Sequence, residues 1–269
     1  MPNKNNIDRP ITLIGSGRSG TTVMEACLNA HPLIQTLNET GGLIFGISAA
    51  ADQSPLPIRR TFKVRDEFAG HMIRTFFTAI EPSDRPHWFH KPVGLPKFVH
   101  WGNIEGEKTS SGFPVEWYWK TLRAAFPNGI FITSLRNPWD VVLSWERFIG
   151  WKQPGVWRDL CNIYAALDHP LAQLNKTIFF EDLVAKPEET LTQVLALADV
   201  PFDPTILERI QRPQAMKPGA EIRKSHKEDW DRALEPGISA EDAECIVRIW
   251  NSQGRTFESP PAFRRLFKF

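Results

Sequence analysis

A glycine-rich segment near the amino terminus constrains the fold more than any other part of the sequence. Residues 15–22, Gly-Ser-Gly-Arg-Ser-Gly-Thr-Thr, follow the short apolar run Ile11–Ile14 and precede a helical pattern that stops at His31-Pro32. Because glycine allows tight turns, successive backbone N–H groups of this segment can face one point, and the helix that follows adds its positive end. The pattern predicts a strand, an anion-binding loop and a helix, an arrangement typical of α/β folds.

Along the rest of the chain, apolar runs bounded by helix breakers alternate with helical patterns. This alternation predicts an α/β fold in which a mainly parallel sheet is flanked by helices. No repeat, low-complexity tract or linker interrupts it, so we expect one domain over residues 1–269. Further strands are expected at residues 33–37, 130–135 and 177–180, and further helices at 115–126, from Pro138, from Pro187, and from Ser239 as the last helix.

Two segments between these elements, and two helix starts, carry additional signals. Residues 40–86 are expected to be mostly helical, whereas residues 87–114 are rich in Pro, Gly, Trp and His without a clear period. The second segment is therefore predicted to be an irregular loop region that faces the substrate. Asn137 and Ser239 precede helical patterns and are expected to act as their N-caps.

The composition excludes several classes of protein. Hydrophobic residues make up 42% of the chain and charged residues 23%, as in ordinary globular proteins. The formal net charge of +1 gives no electrostatic reason to expect nucleic acid as a partner. Three isolated cysteines suggest neither a disulfide framework nor a metal site, and a reducing compartment, the cytoplasm, is expected. No apolar run approaches the length of a membrane span, and nothing in the sequence indicates an oligomeric state.

The glycine-rich loop has the spacing of a Walker loop but differs at the position that defines Walker chemistry. Thr21 stands where a nucleotide triphosphatase has the lysine that binds the β- and γ-phosphates. The cation is instead Arg18, three residues earlier. Its guanidinium fork suits a sulfuryl group carried on a single phosphate, since this group needs less neutralisation than a triphosphate. A glycine turn without a ligand is the alternative interpretation.

A second anion site is predicted where the strand at 130–135 ends. The strand leads to Arg136 at the carboxyl edge of the sheet, where doubly wound folds bind ligands, and the helix that follows places Ser144 two turns further on. A guanidinium and a hydroxyl that converge from a strand end and a helix can bind a separate phosphate. The alternative is an ion pair between Arg136 and Asp140, with Ser144 in solvent.

These segments together resemble the sulfotransferases, in particular their bacterial and protein-tyrosine branches. Residues 18–22, Arg-Ser-Gly-Thr-Thr, are similar to the 5′-phosphosulfate loop of the family, commonly Pro-Arg-Ser-Gly-Thr-Thr, with Gly17 in place of the proline. The likeness continues through residues 24–40, which include Ala-His-Pro and Glu-Thr elements. The arginine at 136, followed eight positions later by a serine, resembles the 3′-phosphate motif of the family.

The resemblance implies a fold and an activity. The fold is the P-loop-containing three-layer α/β fold, with a central parallel sheet between helices. The activity is transfer of a sulfuryl group from 3′-phosphoadenosine 5′-phosphosulfate (PAPS) to a hydroxyl or amine of a small-molecule, carbohydrate or peptide acceptor, which leaves the 3′,5′-bisphosphate (PAP). No metal is implied. The residues that the resemblance assigns to the donor are Gly17, Arg18 (also catalytic), Ser19, Gly20, Thr21, Thr22, Arg136 and Ser144.

A segment near the carboxyl terminus resembles the closing loop of sulfotransferases. Residues 222–230 read Ile-Arg-Lys-Ser-His-Lys-Glu-Asp-Trp, whereas the cytosolic branch has Arg-Lys-Gly, two residues, and Gly-Asp-Trp. Despite the two lost glycines, Arg223 and Ser225 are expected at the 3′-phosphate; a solvated run of charges is the alternative. The tyrosine branch has another arginine at the position of Phe148, so the neighbouring Arg147 is interpreted as a surface charge.

Sulfuryl transfer also needs a base for the acceptor proton and a cation where the leaving phosphate gains charge. The resemblance to the tyrosine branch makes Glu39, which is followed by a threonine, the candidate base. Cytosolic sulfotransferases use a histidine, so His90 or His100 is the alternative base. Lys108 resembles the lysine of a Lys-Thr-Pro element in bacterial relatives and is the preferred cation, with Lys91 as its competitor.

Two other functions share part of the pattern. A P-loop kinase or other phosphotransferase would use ATP and magnesium, and Thr21 at the lysine position speaks against it. A catalytically inactive nucleotide-binding protein would keep both anion sites without turnover.

Overall fold

A five-stranded sheet forms the centre of the part of the chain that the computed structural model describes, residues 9–52, 65–79, 84–92, 114–149, 155–211, 227–233 and 239–267. Its strands are β1 (Ile11–Ile14), β2 (Ile34–Glu39), β3 (His87–Lys91), β4 (Ile130–Leu135) and β5 (Lys176–Phe179). They lie in the order β2-β3-β1-β4-β5, and every neighbouring pair is parallel. All five strands therefore end at the same edge of the sheet.

Helices follow the strands along the chain. The α-helices are α1 (Thr21–Ala30), α2 (Gly41–Asp52), α3 (Arg65–Ala79), α4 (Val115–Ala125), α5 (Pro138–Ile149), α6 (Val156–Asp168), α7 (Phe180–Ala185), α8 (Pro187–Leu197), α9 (Glu208–Gln211), α10 (Ala240–Ser252) and α11 (Pro261–Phe267). Short 3-10 helices lie at Pro204–Leu207 and Lys227–Ala233. Within these ranges, every helix is too short or too polar to cross a bilayer.

The apolar core has two parts, one on each face of the sheet. Successive residues of β4 alternate between them, because side chains of a strand point to opposite faces. Ile130 and Ile132 pack in the part that contains α1 and α8, whereas Phe131 and Leu135 pack in the part that contains α4, α5 and α6. Both faces of the parallel sheet are thus covered, which confirms the predicted three-layer α/β fold.

The order of the strands creates a crevice above β1 and β4. These strands are neighbours, with Ile14 paired with Thr133. From β1 the chain moves towards one edge of the sheet, at β2, and from β4 it moves towards the other edge, at β5. The two connections diverge above the carboxyl ends of the strands, as at the switch points where doubly wound sheets bind ligands. Residues 15–20 and Arg136 directly follow these strands and lie at the crevice.

The prediction of an irregular loop over residues 87–114 is wrong for its first part. His87–Lys91 is β3, which lies between β2 and β1 and is buried from Trp88 onwards. The strand is difficult to recognise in the sequence because it contains two histidines and a lysine and is flanked by prolines. Lysine and proline are uncommon in strands, and the polar composition is typical of a loop. The residues from 93 to 113 lie outside the described ranges.

Most of the other expected elements are confirmed, with small shifts. β2 extends to Glu39, two residues beyond the predicted strand, and the helix that begins at Ser239 is not the last, because α11 follows it. Both predicted caps form: Asn137 Oδ1 accepts a hydrogen bond from Trp139 N at 3.0 Å, and Ser239 Oγ accepts one from Asp242 N at 3.0 Å.

Candidate functional site

The loop after β1 is fixed in shape by hydrogen bonds within it and to β4. Ser19 donates from its N and its Oγ to the carbonyl oxygen of Ser16, at 3.3 and 2.7 Å. Ser134 Oγ of β4 donates to the carbonyl oxygen of Ser19 at 2.6 Å. Arg18 and Gly20 both have left-handed backbone conformations, with φ of 70° and 94°. The turn is therefore built into the protein before any ligand arrives.

The amino end of α1 suits an anion. Gly20 occupies the N-cap position and makes no side-chain capping bond, and Thr21 and Thr22 begin the helix. The first amides of a helix have no partner inside it, and the positive end of the helix dipole attracts negative charge. A side chain at position 20 would be strained by the positive φ, and its Cβ would lie 2.5 Å from Phe180 Cδ2. Glycine thus leaves these amides to a ligand.

Gly17, which stands in place of the proline common in the family, lies against Trp145. A Cβ at position 17 would lie 2.5 Å from Trp145 Cζ2. Trp145 follows Ser144 on α5, and its ring makes an edge contact with Phe148, with 6.0 Å between the ring centroids. The space of the missing side chain is thus filled by an indole from the helix of the second anion site.

Arg18 connects the loop to α5. Its Nε donates to Ser144 Oγ at 3.2 Å, and its Cζ lies 4.6 Å from the centroid of the Phe148 ring. Burial lowers the pKa of the guanidinium below its usual range, because the charged form loses solvent. Phe148, at the position of the family's further arginine, therefore contacts Arg18 with its ring face, where a cation is attracted.

Arg136 lies beside the same loop. Only 6% of the residue is exposed, and its Nη1 donates to the carbonyl oxygen of Arg18 at 3.3 Å. Its Cζ lies 4.5 Å from the centroid of the Phe180 ring. Burial lowers the pKa of Arg136, and the nearby Asp140 and Glu181 carboxylates oppose this shift. The two predicted anion sites, Arg18 with its loop and Arg136 with Ser144, are therefore adjacent at one edge of the sheet.

Lys91, at the end of β3, is a buried cation next to the amino end of α1. Only 3% of the residue is exposed. Its Nζ lies 2.7 Å from Glu25 Oε2, 3.5 Å from Thr22 Oγ1 and 3.7 Å from Glu39 Oε1. The structure thus brings Lys91 and Glu39 together beside the loop.

Glu39 ends β2 and faces solvent, with 64% of its side chain exposed. The residue after it is anchored in the core, because Thr40 N donates to the carbonyl oxygen of Lys91 at 3.3 Å and Thr40 Oγ1 contacts His90 Nδ1 at 2.8 Å. The Glu39 carboxylate is thus exposed and extends from a fixed backbone beside Lys91.

His90 is a core residue and not an accessible base. Its Nδ1 and Nε2 each lie 2.8 Å from a hydroxyl, of Thr40 and Thr12 respectively, and 1% of the residue is exposed. Its ring packs against Phe77 and Phe126, and burial lowers its pKa to about 3. With both nitrogens engaged and the ring buried, His90 is not accessible to an acceptor.

The 3-10 helix Lys227–Ala233 is docked on α5. Trp230 Nε1 donates to Asp140 Oδ1 at 2.7 Å in the interior, and Arg147 Nη2 lies 3.1 Å from Asp229 Oδ2. Arg147 is a surface residue, as the sequence suggested, with 41% of its side chain exposed, and it pairs there with Asp229. The Asp-Trp pair that resembles the end of the closing loop contacts the helix that carries Ser144.

Four residues named from the sequence lie outside the described ranges: Lys108, His100, Arg223 and Ser225. Two residues that sequence reasoning missed lie at the site. Trp145 had a weak signal in the replacement of proline by Gly17, and Glu25 had one in being an acid on the apolar face of α1.

Comparison with known proteins supports the same family. A model described as the sulfotransferase family matches residues 10–204. No curated protein matches the chain. The sulfotransferase domain from the curacin biosynthetic pathway is 17% identical, with a TM-score of 0.54 over 94% of this chain and 99% of that one. The sulfotransferase domain of the Synechococcus PCC 7002 olefin synthase is 15% identical, with a TM-score of 0.50 over 93% of this chain and 96% of that one.

The two structural likenesses support the fold, and the match of the family model over well more than half of the chain shows the family. Together with the lysine-free loop and the adjacent Arg136, they identify the protein as an enzyme that belongs to the sulfotransferase family.

Proposed function

We propose that this sulfotransferase takes its sulfuryl group from PAPS and transfers it to an acceptor hydroxyl or amine. The contact between Arg18 Nε and Ser144 Oγ, 3.2 Å, carries the proposal because it joins the glycine-rich loop to α5, so the two proposed anion sites would be neighbours. A donor with separate phosphates on its 5′ and 3′ positions offers one anion to each element. ATP has all its phosphates in one chain and leaves the second element unused.

The chemistry of the site fits this donor. Residues 17–22 would hold the 5′-phosphosulfate with loop and helix amides, and Arg136 and Ser144 would hold the 3′-phosphate. Arg136 is buried and Arg18 is half-buried, and the lost solvation lowers the pKa of both guanidinium groups. An anion between two such cations offsets this cost, which supports a ligand at this place. Arg223 and Ser225 are proposed for the 3′-phosphate from the resemblance alone.

The proposed reaction is an in-line displacement, in which a bond forms from the acceptor atom to sulfur while the bond from sulfur to the 5′-phosphate oxygen breaks. When bound, the donor supplies an activated sulfuryl group. The chain supplies positioning and charge, which by analogy with phosphoryl transfer account for most of the rate. Lys91 beside Thr22 would stabilise the oxygen that gains negative charge. Lys108, the cation preferred from the sequence, lies outside the described residues and stays a candidate for the same role.

Glu39 would accept the acceptor proton. Its exposure gives an acceptor access to the carboxylate, and the anchored backbone at Thr40 fixes the point from which the side chain extends. The engaged nitrogens of His90 support Glu39 over that histidine. The acceptor is proposed to be a small molecule, carbohydrate or peptide, and the cytoplasmic location stays a prediction from cysteine usage.

Isothermal titration calorimetry with PAP and with ATP–magnesium tests the donor assignment. We expect saturable binding of PAP and much weaker binding of ATP–magnesium, because only PAP engages both elements. Transfer of labelled sulfate from PAPS to a panel of hydroxyl and amine acceptors then tests turnover. Preferential binding of ATP–magnesium would favour a phosphotransferase, and PAP binding without transfer to any acceptor would favour an inactive nucleotide-binding protein.

A further inference from the structure

A buried carboxylate of α1 lies beside the site and has no part in the reaction proposed above. Glu25 is 8% exposed and lies one helical turn after Thr21. Its Oε2 is 2.7 Å from Lys91 Nζ. Neither the glycine-rich loop nor the second anion site includes this residue.

Two carboxylates compete for the Lys91 ammonium. Glu25 is the closer, at 2.7 Å with 10% of its side chain exposed, and Glu39 is 3.7 Å away with 64% exposed. The attraction between opposite charges grows as their distance and their access to water decrease. Lys91 is therefore held mainly by Glu25. Among the residues that the structure describes, the ion-paired groups here come from three elements: Glu25 from α1, Glu39 from β2 and Lys91 from β3.

Stability alone does not explain the buried pair. Among the described residues, Glu25 Oε1 is buried without a hydrogen-bond partner, so the carboxylate lacks one of the bonds that would offset its lost solvation. Buried ion pairs of this kind are often no more stable than apolar residues of the same volume. The burial of a carboxylate at position 25 is therefore better explained by the placement of Lys91 than by the stability of the fold.

We propose that Glu25 is a positioning residue that holds the Lys91 ammonium beside Thr22 and so leaves Glu39 free to accept the acceptor proton. The inference rests on the proposed function, because it assigns roles to Lys91 and Glu39. Without the charge of Glu25, the ammonium turns to the remaining carboxylate. Glu39 then keeps its negative charge more firmly and is a weaker base, while Lys91 is drawn away from the leaving oxygen.

The Glu25→Gln variant tests this role, since it keeps the shape of the side chain and removes its charge. We expect kcat to fall about tenfold, a part of the ~10²–10⁴-fold that one acid–base group contributes. The acidic limb of the pH–rate profile should move to lower pH. The affinity for PAP should change by less than about threefold, because the residues that hold the two phosphates are untouched.

Glu116→Gln is the matched control. Glu116 pairs with Lys120, one turn later on α4, with 2.6 Å between Oε1 and Nζ, so the variant removes the same charge from an ion pair of another helix. The same chemical change there should leave kcat and the pH profile as they are. In a Lys91→Gln background, Glu25→Gln should lower kcat no further, because the two residues act through one contact.

Thermal melts establish that each variant is folded. If Glu25→Gln does not fold, Glu25→Asp keeps the charge but lengthens the contact, and a smaller loss of kcat with a smaller shift of the acidic limb is expected. An unchanged pH profile and kcat in a folded variant would overturn the inference, as would a loss of PAP affinity as large as the loss of kcat. Failure of the wild-type protein to bind PAP or transfer sulfate would instead overturn the proposed function.

Discussion

At the scale of the residue, the contact between Gly17 and Trp145 determines how the glycine-rich loop packs against α5. A methyl group at position 17 would lie 2.5 Å from the indole, so the ring or the loop must move. We expect Gly17→Ala to lower the free energy of unfolding by ~1–3 kcal/mol, as overpacking of an interior site does, and to weaken PAP binding. Urea denaturation and calorimetry measure the two effects.

Gly46→Ala on α2 is the control for this change, because a Cβ there meets no atom within 4 Å among the described residues. It should leave PAP binding unchanged and stabilise the helix slightly, since alanine loses less chain entropy than glycine. A second variant, Gly17→Ala with Trp145→Leu, should recover part of the PAP affinity. If Gly17→Ala binds PAP like the wild type, the loop does not depend on this contact.

Substitutions of Arg136 and Glu39 should affect PAP binding and the rate of transfer separately. Arg136→Ala removes a buried cation of the second anion site and should weaken PAP binding strongly, by ~10-fold or more, as loss of a charge-assisted contact does. Glu39→Ala should leave PAP affinity within about threefold and abolish transfer, because Glu39 is proposed to accept the acceptor proton and not to bind the phosphates. Calorimetry and initial rates measure the two quantities.

Arg123→Ala is the matched control for Arg136. This guanidinium also lies over an aromatic ring, at 4.1 Å from the Phe131 centroid, and donates to the carbonyl oxygen of Ala172. Its loss should cost stability but not PAP affinity. If Glu39→Ala retains the wild-type rate, the base is another residue.

The sequence predicts those site residues whose role depends on neighbours along the chain. Arg18 and the residues around it form one continuous loop, and Arg136 with Ser144 spans one strand end and one helix, so short motifs reveal them. Glu25 and Trp145, which the sequence did not predict, reach the site from α1 and α5, where Glu25 contacts Lys91 of β3. Their roles depend on how α1, α5 and β3 pack, which no local pattern encodes.

At the scale of the element, β3 shows why pattern reasoning failed in one place. The strand contains two histidines and a lysine, and the two that are buried, His90 and Lys91, have their polar groups paired inside the protein. His90 contacts Thr12 of β1 and Thr40 after β2, and Lys91 contacts Glu25. Tertiary contacts thus override the composition that suggested a loop. The two strands beside it in the sheet, β2 and β1, are rich in apolar residues and are predicted from the sequence.

Burial of His90 should make stability depend on pH. Its pKa is lowered to about 3 in the folded protein, whereas the unfolded chain binds a proton near 6.5. Between these values the unfolded state binds more protons, so the free energy of unfolding should fall as pH falls below about 6.5. The loss from this residue between pH 7 and pH 5 should be ~2 kcal/mol.

Urea unfolding at several pH values measures this slope, and the His90→Gln variant isolates it. Glutamine does not titrate, and its amide can contact the two threonine hydroxyls, so the variant should be less stable at pH 7 but should lose about 1 kcal/mol less per pH unit on acidification. Equal slopes in the variant and the wild type would contradict the assignment of His90 as a neutral core residue.

At the scale of the whole molecule, the two core parts share one sheet, and the donor site touches both. The glycine-rich loop leads into α1 on one face, and Ser144 lies on α5 on the other. A ligand that contacts the loop and α5 together therefore links the layers on both faces. Since the apolar residues of β4 belong to both parts, neither part can lose its packing without disturbing the other.

We therefore expect the chain to unfold as a single domain, in one cooperative transition followed equally by tryptophan fluorescence and circular dichroism. PAP at about 100 times its Kd should raise the free energy of unfolding by ~2.7 kcal/mol, because it binds only the folded state. At the same PAP concentration, the tenfold or greater loss of affinity in Arg136→Ala should reduce this increase to ~1.4 kcal/mol or less, whereas Arg123→Ala should show the full increase, although it is less stable without PAP. Two separate transitions, with only one moved by PAP, would show that the layers fold independently and that the ligand contacts only one of them.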